Sequence, residues 1–410
     1  MKRLRRTTPR NTALALLALL AVCAAGAAVL ATPRAQSAYR GLADFARVLT
    51  HVERLYVDDV DGEDLVAGAI HGMLRTLDPH SSYMTAEDFR ILEGDTRGRF
   101  GGVGLEVGAR GEDLTVITPI PGTPAERAGL RPGDRIVAIE GRPTREFGID
   151  EAVRRMRGEP GTEVRITVGR KGVPEPFEVV LVREVVRVES IAAELLEPGF
   201  PWIRVKAFQD GTAADAKLAM ERLGREGGGL RGVLLDLRRN PGGLLDEAVR
   251  LSDLFLDSGV IVTTRGRGGV EIARYEARSR KTLPRVPVVV LADAASASAA
   301  EIVAGALQDH GRALVVGTST FGKGSVQSLI PLGDGAGLKL TVARYYTPAG
   351  RSIQAEGIRP DVEVESRDAP EPDEETRLLE SVAEKDLPGA LAAPRGAVAE
   401  DDGEPPIDDY

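Results

Sequence analysis

The stretch 286-VPVVVLADAASASAAEIVAGALQDH-310 decides the fold. Its first part, to Asp293, is a continuous apolar run rich in Val, as expected of a strand buried on both faces. From Ser298 onward the apolar residues recur at helical spacing as far as His310. Between the two lie almost only Ala and Ser, which leave room for another molecule. A strand feeding a helix through a turn of small residues is an α/β unit. Open sheets built of such units bind ligands at the carboxyl ends of their strands. Ser296, Ser298 and Glu301 are the residues here able to carry chemistry.

The same pattern continues on either side. Strands are expected at 201-PWIRVKAF-208, 231-RGVLLDLR-238, 313-ALVVG-317 and 337-GLKLTVARYY-346, with helices at 211–223, 244–256 and 298–310. Two clusters of small residues, 239-RNPGG-243 and 294-AASAS-298, each follow a strand end and can face one crevice. Asp236 and Asn240 read as turn-forming and structural residues. The segment from 100-FGGVGLEV-107 to 180-VLVRE-184 differs, with short strands separated by Gly and Pro turns. Within it, 128-AGLRPGDRIVAIEGRP-143 reads as a short helix end, a Pro-Gly-Asp turn and an alternating strand. That segment resembles a PDZ domain. The resemblance places Gly102, Val103, Gly104 and Leu105 in the loop whose amides hold a peptide's terminal carboxylate. Helix 149–158 would form the other wall of the groove. Without a ligand, the same segment would be a plain β-rich insert.

Upstream, 41-GLADFARVLTHVERLYVDD-59 and 62-GEDLVAGAIHGMLRTL-77 have helical periodicity, the second stopped by Pro79. Before them, Lys2, Arg3, Arg5, Arg6 and Arg10 precede an apolar run from Ala13 to Ala31. That is an export signal, placing the protein in the bacterial periplasm or on the outer face of the inner membrane. The length of the run leaves cleavage and retention as an anchor both open. From Ser366 on, 14 acidic residues stand against 4 basic ones, so a mobile acidic tail is expected, with a helix at 374–385. An aromatic content of 4% and a formal charge of -9 exclude a nucleic-acid binder that works by stacking and phosphate contacts. The single cysteine, Cys23, lies inside the export segment, so the mature part has no disulfide, no Cys nucleophile and no Cys-rich metal site. Neither a metal nor a cofactor is expected.

A serine nucleophile needs a base. His51, His71 and His80 are remote from Ser298 in sequence, and His310 is about 18 Å away at 1.5 Å per helical residue. A Ser-His pair would require an early histidine to fold over. Lys323 is the better candidate, set between Gly322 and Gly324 in a run without other charges from Thr318 to Leu332. Desolvation there favours the neutral amine, a competent base for a hydroxyl. Gln327 could orient that amine without adding charge. The run Gly317-x-x-x-x-Gly322-Lys323 falls short of a phosphate-binding loop, because Gly324 stands where Ser or Thr must follow and a strand replaces the helix.

Together, 76-TLDPHSSYM-84, the PDZ-like segment, 234-LLDLRRNPGG-243, 296-SASAAEIVAGAL-307, 320-TFGKGSVQ-327 and 344-RYYTPAGRSIQAEGIRPDVEV-364 resemble the carboxyl-terminal processing (tail-specific) proteases. These are PDZ-containing Ser-Lys serine peptidases, and the resemblance spans roughly residues 40–365. It implies an α/β multidomain chain: signal or anchor at 1–37, helical region at 38–95, PDZ domain at 96–185, crotonase/ClpP-like peptidase core at 186–366, and tail at 367–410. It makes Ser298 the nucleophile, Lys323 the base and Gln327 the helper. Ala300 stands where many members have serine. The oxyanion would be held by the amide of Ala299 with that of Gly242 or Gly243. Glu301 reads as a capping-box acid, Ser296 as a turn residue, and Arg157 as a link between the PDZ groove and the site. The implied substrates are proteins or peptides with accessible C-termini. A homo-oligomer, an activating adaptor and membrane contact through the N-terminus are compatible with this. The competing reading is a non-catalytic envelope adaptor that uses the PDZ domain as a tether.

Overall fold

The computed structural model describes residues 33–111, 113–278, 282–364 and 382–394. The export segment and most of the helix expected at 374–385 lie outside these residues. Two compact units divide between Leu74 and Arg75. The smaller contains α1 (Pro33–Leu55) and α2 (Gly62–Leu74). Asp61 starts α2, its Oδ1 accepting the Glu63 amide at 2.7 Å. No described helix is long and apolar enough to cross a membrane.

The larger unit opens with β1 (Ser82–Met84), α3 (Ala86–Thr96) and β2 (Arg99–Gly102). Thr85 caps α3 by accepting the Asp88 amide. The motif around His80 therefore belongs with the larger unit, and β1 pairs antiparallel with a strand more than 250 residues later.

The PDZ-like region comprises β3 (Leu105–Arg110), β4 (Asp113–Pro119), α4 (Pro124–Arg127), β5 (Arg135–Ile139), β6 (Arg142–Pro143), α5 (Ile149–Met156), β7 (Glu163–Gly169) and β8 (Phe177–Val182). Its sheet runs β3-β4-β5-β7-β8, with β6 paired to β5. Strict alternation on β7 turns Val164, Ile166 and Val168 inward, against Ile136, Ile139 and Met156. β9 (Glu184–Arg187) returns to pair with β2 and closes the region at its base.

The core follows as β10 (Ile191–Glu197), β11 (Phe200–Val205), α6 (Thr212–Glu226), β12 (Val233–Asp236), α7 (Leu245–Asp253), β13 (Val260–Arg265), β14 (Glu271–Glu276), β15 (Val288–Ala292), α8 (Ala299–Asp309), β16 (Leu314–Gly317), β17 (Ser325–Pro331), β18 (Gly337–Tyr346) and β19 (Val362–Glu363). One sheet runs β10-β11-β12-β15-β16-β19, parallel from β11 onward. A second contains β1-β18-β13-β14, with β17 also on β18. Ile203, Leu235, Val290 and Val315 are fully buried in the centre of the first sheet, and α8 is buried along nearly its whole length. Burying each such aliphatic side chain is worth about 1.5–3 kcal/mol. The expected strands at 231–238, 286–293, 313–317 and 337–346 contain the observed ones, and β11 overlaps the one expected at 201–208 but begins a residue earlier, at Phe200. The β13–β14 hairpin was not anticipated.

The acidic tail needs a correction. Residues 382–394 are seated on the core, with Glu384 wholly buried in a short 3-10 turn, Glu384–Asp386. The reason is chemical: the Glu384 carboxylate accepts from His80 Nε2 at 2.8 Å and Gln354 Nε2 at 2.9 Å, and its amide donates to Phe321 O at 3.0 Å.

Candidate active site

Ser298 stands at the head of α8 with φ 55 and ψ -112. A residue with a Cβ rarely takes positive φ, and such a conformation costs on the order of 1–3 kcal/mol. The surroundings impose it. The Ala297 amide donates to Asn240 O at 2.9 Å. The Ser296 hydroxyl donates to Leu237 O at 2.8 Å and accepts the Asp293 amide at 2.9 Å, so Ser296 is the turn residue expected. The Ser298 amide donates to Glu301 Oε2 at 2.7 Å. Ser298 itself is half-buried, open enough for a substrate to reach it.

Glu301 does more than cap its helix. The same Oε2 accepts the Lys323 amide at 2.9 Å, and Oε1 accepts from the Gly322 amide at 2.7 Å and the Thr320 hydroxyl at 2.5 Å. Because one oxygen holds both amides, the backbones of Ser298 and Lys323 can be no farther apart than the sum of two hydrogen-bond lengths. Glu301 is wholly buried, and burial pushes its carboxyl up to about 7 against the pull of these four donors.

Lys323 follows β16 in the loop leading to β17. Burial pushes its ammonium below the usual lysine range, and the charge of Lys339 adds to the effect; Glu384, Glu301 and Asp78 oppose it. The expected desolvation is present. The expected hydrogen bond from Gln327 is not: among the described residues, the Lys323 side chain makes none. Gln327 Nε2 instead donates to Ser325 Oγ at 2.9 Å and Thr341 Oγ1 at 3.2 Å, because β17 places Gln327 opposite Thr341 on β18.

The 239-RNPGG-243 turn packs directly against Ser298. A methyl group added to Gly242 would stand 2.8 Å from Ser298 Cβ and 3.0 Å from the Ala299 nitrogen. The Gly242 amide is spent on Asn240 Oδ1 at 2.8 Å, which removes Gly242 as an oxyanion donor. Gly243 differs. Phe208 bonds the backbone on either side of it, through Gly242 O and the Leu244 amide. The amides of Gly243 and Ala299 thus have no acceptor among the described residues. Asp236 has the structural role expected, holding Arg238 and the Trp202 indole.

Sequence reasoning missed a polar layer beneath Lys323. Asp78 accepts the His80 and Ser81 amides, the Ser81 hydroxyl and the Thr341 hydroxyl. Burial works against its charge, but these donors hold its carboxyl below the usual range. Through Thr341, Asp78 reaches Gln327. His80 does fold onto the core, yet its Nε2 is held by Glu384, and Gln354 joins that carboxylate to the Gly324 amide at 3.1 Å. The Asp-Pro dipeptide signalled a turn, and nothing local signalled its partners. Among the described residues no cluster of His, Cys, Asp and Glu could hold a metal.

In the PDZ-like region, Phe100, Gly102, Val103, Gly104, Leu105, Val153, Met156 and Arg157 line a groove. The Val103 and Gly104 amides have no acceptor among the described residues, while Val103 O and Gly104 O are engaged by Ala125 and Ile120. Arg157 lies over the Phe100 ring at 4.3 Å, and its Nη1 is 2.8 Å from Asp95 Oδ1, out of line for a hydrogen bond.

Profiles of known families match three parts of the chain: Peptidase family S41 at 201–364, PDZ domain at 115–170, and Activating protease CtpB N-terminal domain at 25–88. A carboxy-terminal-processing protease of Bartonella bacilliformis is 43% identical over 336 residues, 82% of this chain and 77% of that protein. The carboxy-terminal processing protease CtpA of Bacillus subtilis is 35% identical, over 76% of this chain and 66% of its own length. A solved structure, the photosystem II D1 C-terminal processing protease, is 30% identical with a TM-score of 0.49, over 84% of this chain and 97% of its own.

Proposed function

The chain belongs to the carboxy-terminal processing proteases, serine peptidases of family S41 carrying a PDZ domain, and on that premise we propose that it cleaves with a Ser298-Lys323 dyad. Neutral Lys323 takes the Ser298 hydroxyl proton as Oγ attacks a peptide carbonyl carbon. The tetrahedral oxyanion is held by the Ala299 and Gly243 amides, at the positive end of α8. As the C–N bond breaks, the lysine ammonium returns the proton to the leaving amine. Water then clears the acyl-enzyme, with the same amine as base. Gln327 orients the recess beside Lys323.

One observation carries this reading: Glu301 Oε2 accepts both the Ser298 and the Lys323 amide, so the two residues are tied to one atom. The half-buried, desolvated lysine and the strained serine add to it. The PDZ groove would take the substrate's terminal carboxylate on the Val103 and Gly104 amides, with Arg157 linking an occupied groove to the site. The basic residues followed by the Ala13–Ala31 run support an exported protein.

The test mixes the protein, lacking its first 37 residues, with an unfolded polypeptide that ends in apolar residues. Ser298→Ala and Lys323→Ala should each abolish cleavage and keep tail binding. Lys323→Arg should fail too, because a guanidinium stays protonated. Wild-type rate in any of the three excludes the dyad. Binding without cleavage by the unaltered protein would favour the adaptor reading.

A further inference from the structure

The loop that carries Lys323 runs into β17, and β17 and β18 share a polar face. Gln327 Nε2 donates to Ser325 Oγ at 2.9 Å, so these two residues stand on that face together. Ser325 is the register partner of Arg344 on β18, and directly opposite residues present their side chains on one side of a sheet. On β13, the other neighbour of β18 at this point, Arg265 is likewise opposite Arg344. Tyr346, two residues along β18, lies on the same face, with the Arg265 guanidinium over its ring at 4.5 Å. The Tyr345 amide donates to Gly324 O at 2.7 Å, which ties this part of β18 to the residue that follows Lys323.

Two arginines directly opposite each other repel, and half-buried charges normally have a partner of opposite sign. This pair has none. Arg344 is half-buried, and among the described residues it makes no hydrogen bond or ion pair; its Nε is sealed from solvent without an acceptor. Arg265, also half-buried, has the Tyr346 ring but no hydrogen bond or ion pair with a described residue. Glu271, opposite Arg265 on β14, accepts from Arg274 with both of its oxygens, at 2.9 and 3.0 Å.

We propose that Arg344 and Arg265 form a subsite for an acidic side chain of the substrate polypeptide, on the face that carries Gln327 and Ser325. A guanidinium offers paired N–H donors that match the two oxygens of a carboxylate. A carboxylate laid across the pair removes the repulsion and supplies the acceptors that both side chains lack. The subsite thus makes the enzyme prefer substrates with Asp or Glu at a fixed distance from the scissile bond. The tail's terminal carboxylate is assigned to the PDZ groove, so the group held here belongs to a side chain. This rests on peptides being cleaved at Ser298 and Lys323.

The experiment uses apolar-tailed peptides that carry a single Glu or Gln at each position in turn on either side of the cleaved bond. For the unaltered enzyme, kcat/KM should favour Glu over Gln by about tenfold at one position, the scale of one charge-assisted hydrogen bond. Raised salt should shrink that ratio. In Arg344→Gln the ratio should fall to about one, and Arg344→Lys should recover part of it. Arg265→Gln should lower the same ratio, and it stands in should Arg344→Gln misfold. A ratio near one at every position in the unaltered enzyme overturns the proposal. So does an undiminished ratio in the folded variants. A second measurement needs no turnover. Amidated peptides, which offer the PDZ groove no terminal carboxylate, are titrated by calorimetry into the Ser298→Ala protein. The Glu peptide should bind about tenfold tighter than its Gln counterpart, and equal affinity overturns the proposal. Binding reads the subsite whether or not Lys323 is the base, so failure here is distinct from failure of the dyad.

Discussion

At the scale of single residues, Glu301 joins stability to chemistry. Each of its oxygens accepts from at least one backbone amide. Glu301→Gln therefore places an amide NH2 against a backbone N–H whichever way the side chain turns. An unsatisfied buried donor costs about 1–3 kcal/mol. We expect Glu301→Gln to lower kcat by about a hundredfold, the scale of a lost oxyanion contact, because the Ser298 turn and the Lys323 loop lose their common anchor. KM should change little. The pH dependence has a definite sign. Unfolded, this carboxyl releases its proton near 4.5; folded, it keeps it until about 7. The folded state therefore binds more protons in that window, and this group's contribution to stability is present below 4.5 and lost as pH rises to about 7. Urea unfolding of the unaltered protein and of Glu301→Gln at several pH values between 4.5 and 7 checks it. Their stability difference should change by up to about 1.4 kcal/mol per pH unit. A constant difference refutes the assignment.

At the scale of elements, what the chain announced was what periodicity encodes. The 286–310 stretch, continuous apolar then helical, became β15 and α8 with Ser298 at their junction. The candidate base, Lys323, was legible because a lysine between glycines in an uncharged run has few other uses. Three things were not legible, and each depends on distant partners. The Gly242 amide looked equal to that of Gly243 until Asn240 claimed it. Gln327 looked free until β18 placed Thr341 opposite it. Glu384 looked like one more acid in an acidic tail, since His80 lies 304 residues before it. That last contact can be tested. Ending the chain after residue 381 removes Glu384 and leaves the buried Gln354 amide without its acceptor. Gln354 holds the Gly324 amide next to Lys323. The shortened protein should therefore melt lower and lose kcat more than KM. Thermal melts and initial rates on one preparation read both. Unchanged values would mean that residues 382–394 are a passenger on the core.

At the scale of the larger unit, the question is whether the PDZ groove only delivers substrate or also acts on the site. A line of contacts runs between them. Arg157 in the groove meets Asp95 at the end of α3. The next residue, Thr96, accepts the Asp210 amide through its carbonyl, and Gly98 packs on Gln209. Two residues earlier, Phe208 bonds the backbone on both sides of Gly243, one of the two amides assigned to the oxyanion. A ligand that shifts Arg157 can thus bias where the Gly243 amide points, provided the groove has two arrangements with different affinity for the tail. Asp95→Asn removes the charge contact without touching groove, dyad or oxyanion amides. If the line transmits, Asp95→Asn should bind a short apolar-ended peptide with unchanged Kd by calorimetry. Its kcat on a tailed protein should fall about tenfold, about 1.4 kcal/mol of coupling. Its rate on a substrate without a tail should equal that of the unaltered enzyme, because coupling is then absent from both. Equal kcat on the tailed protein would reduce the PDZ domain to a tether, leaving delivery as its whole contribution.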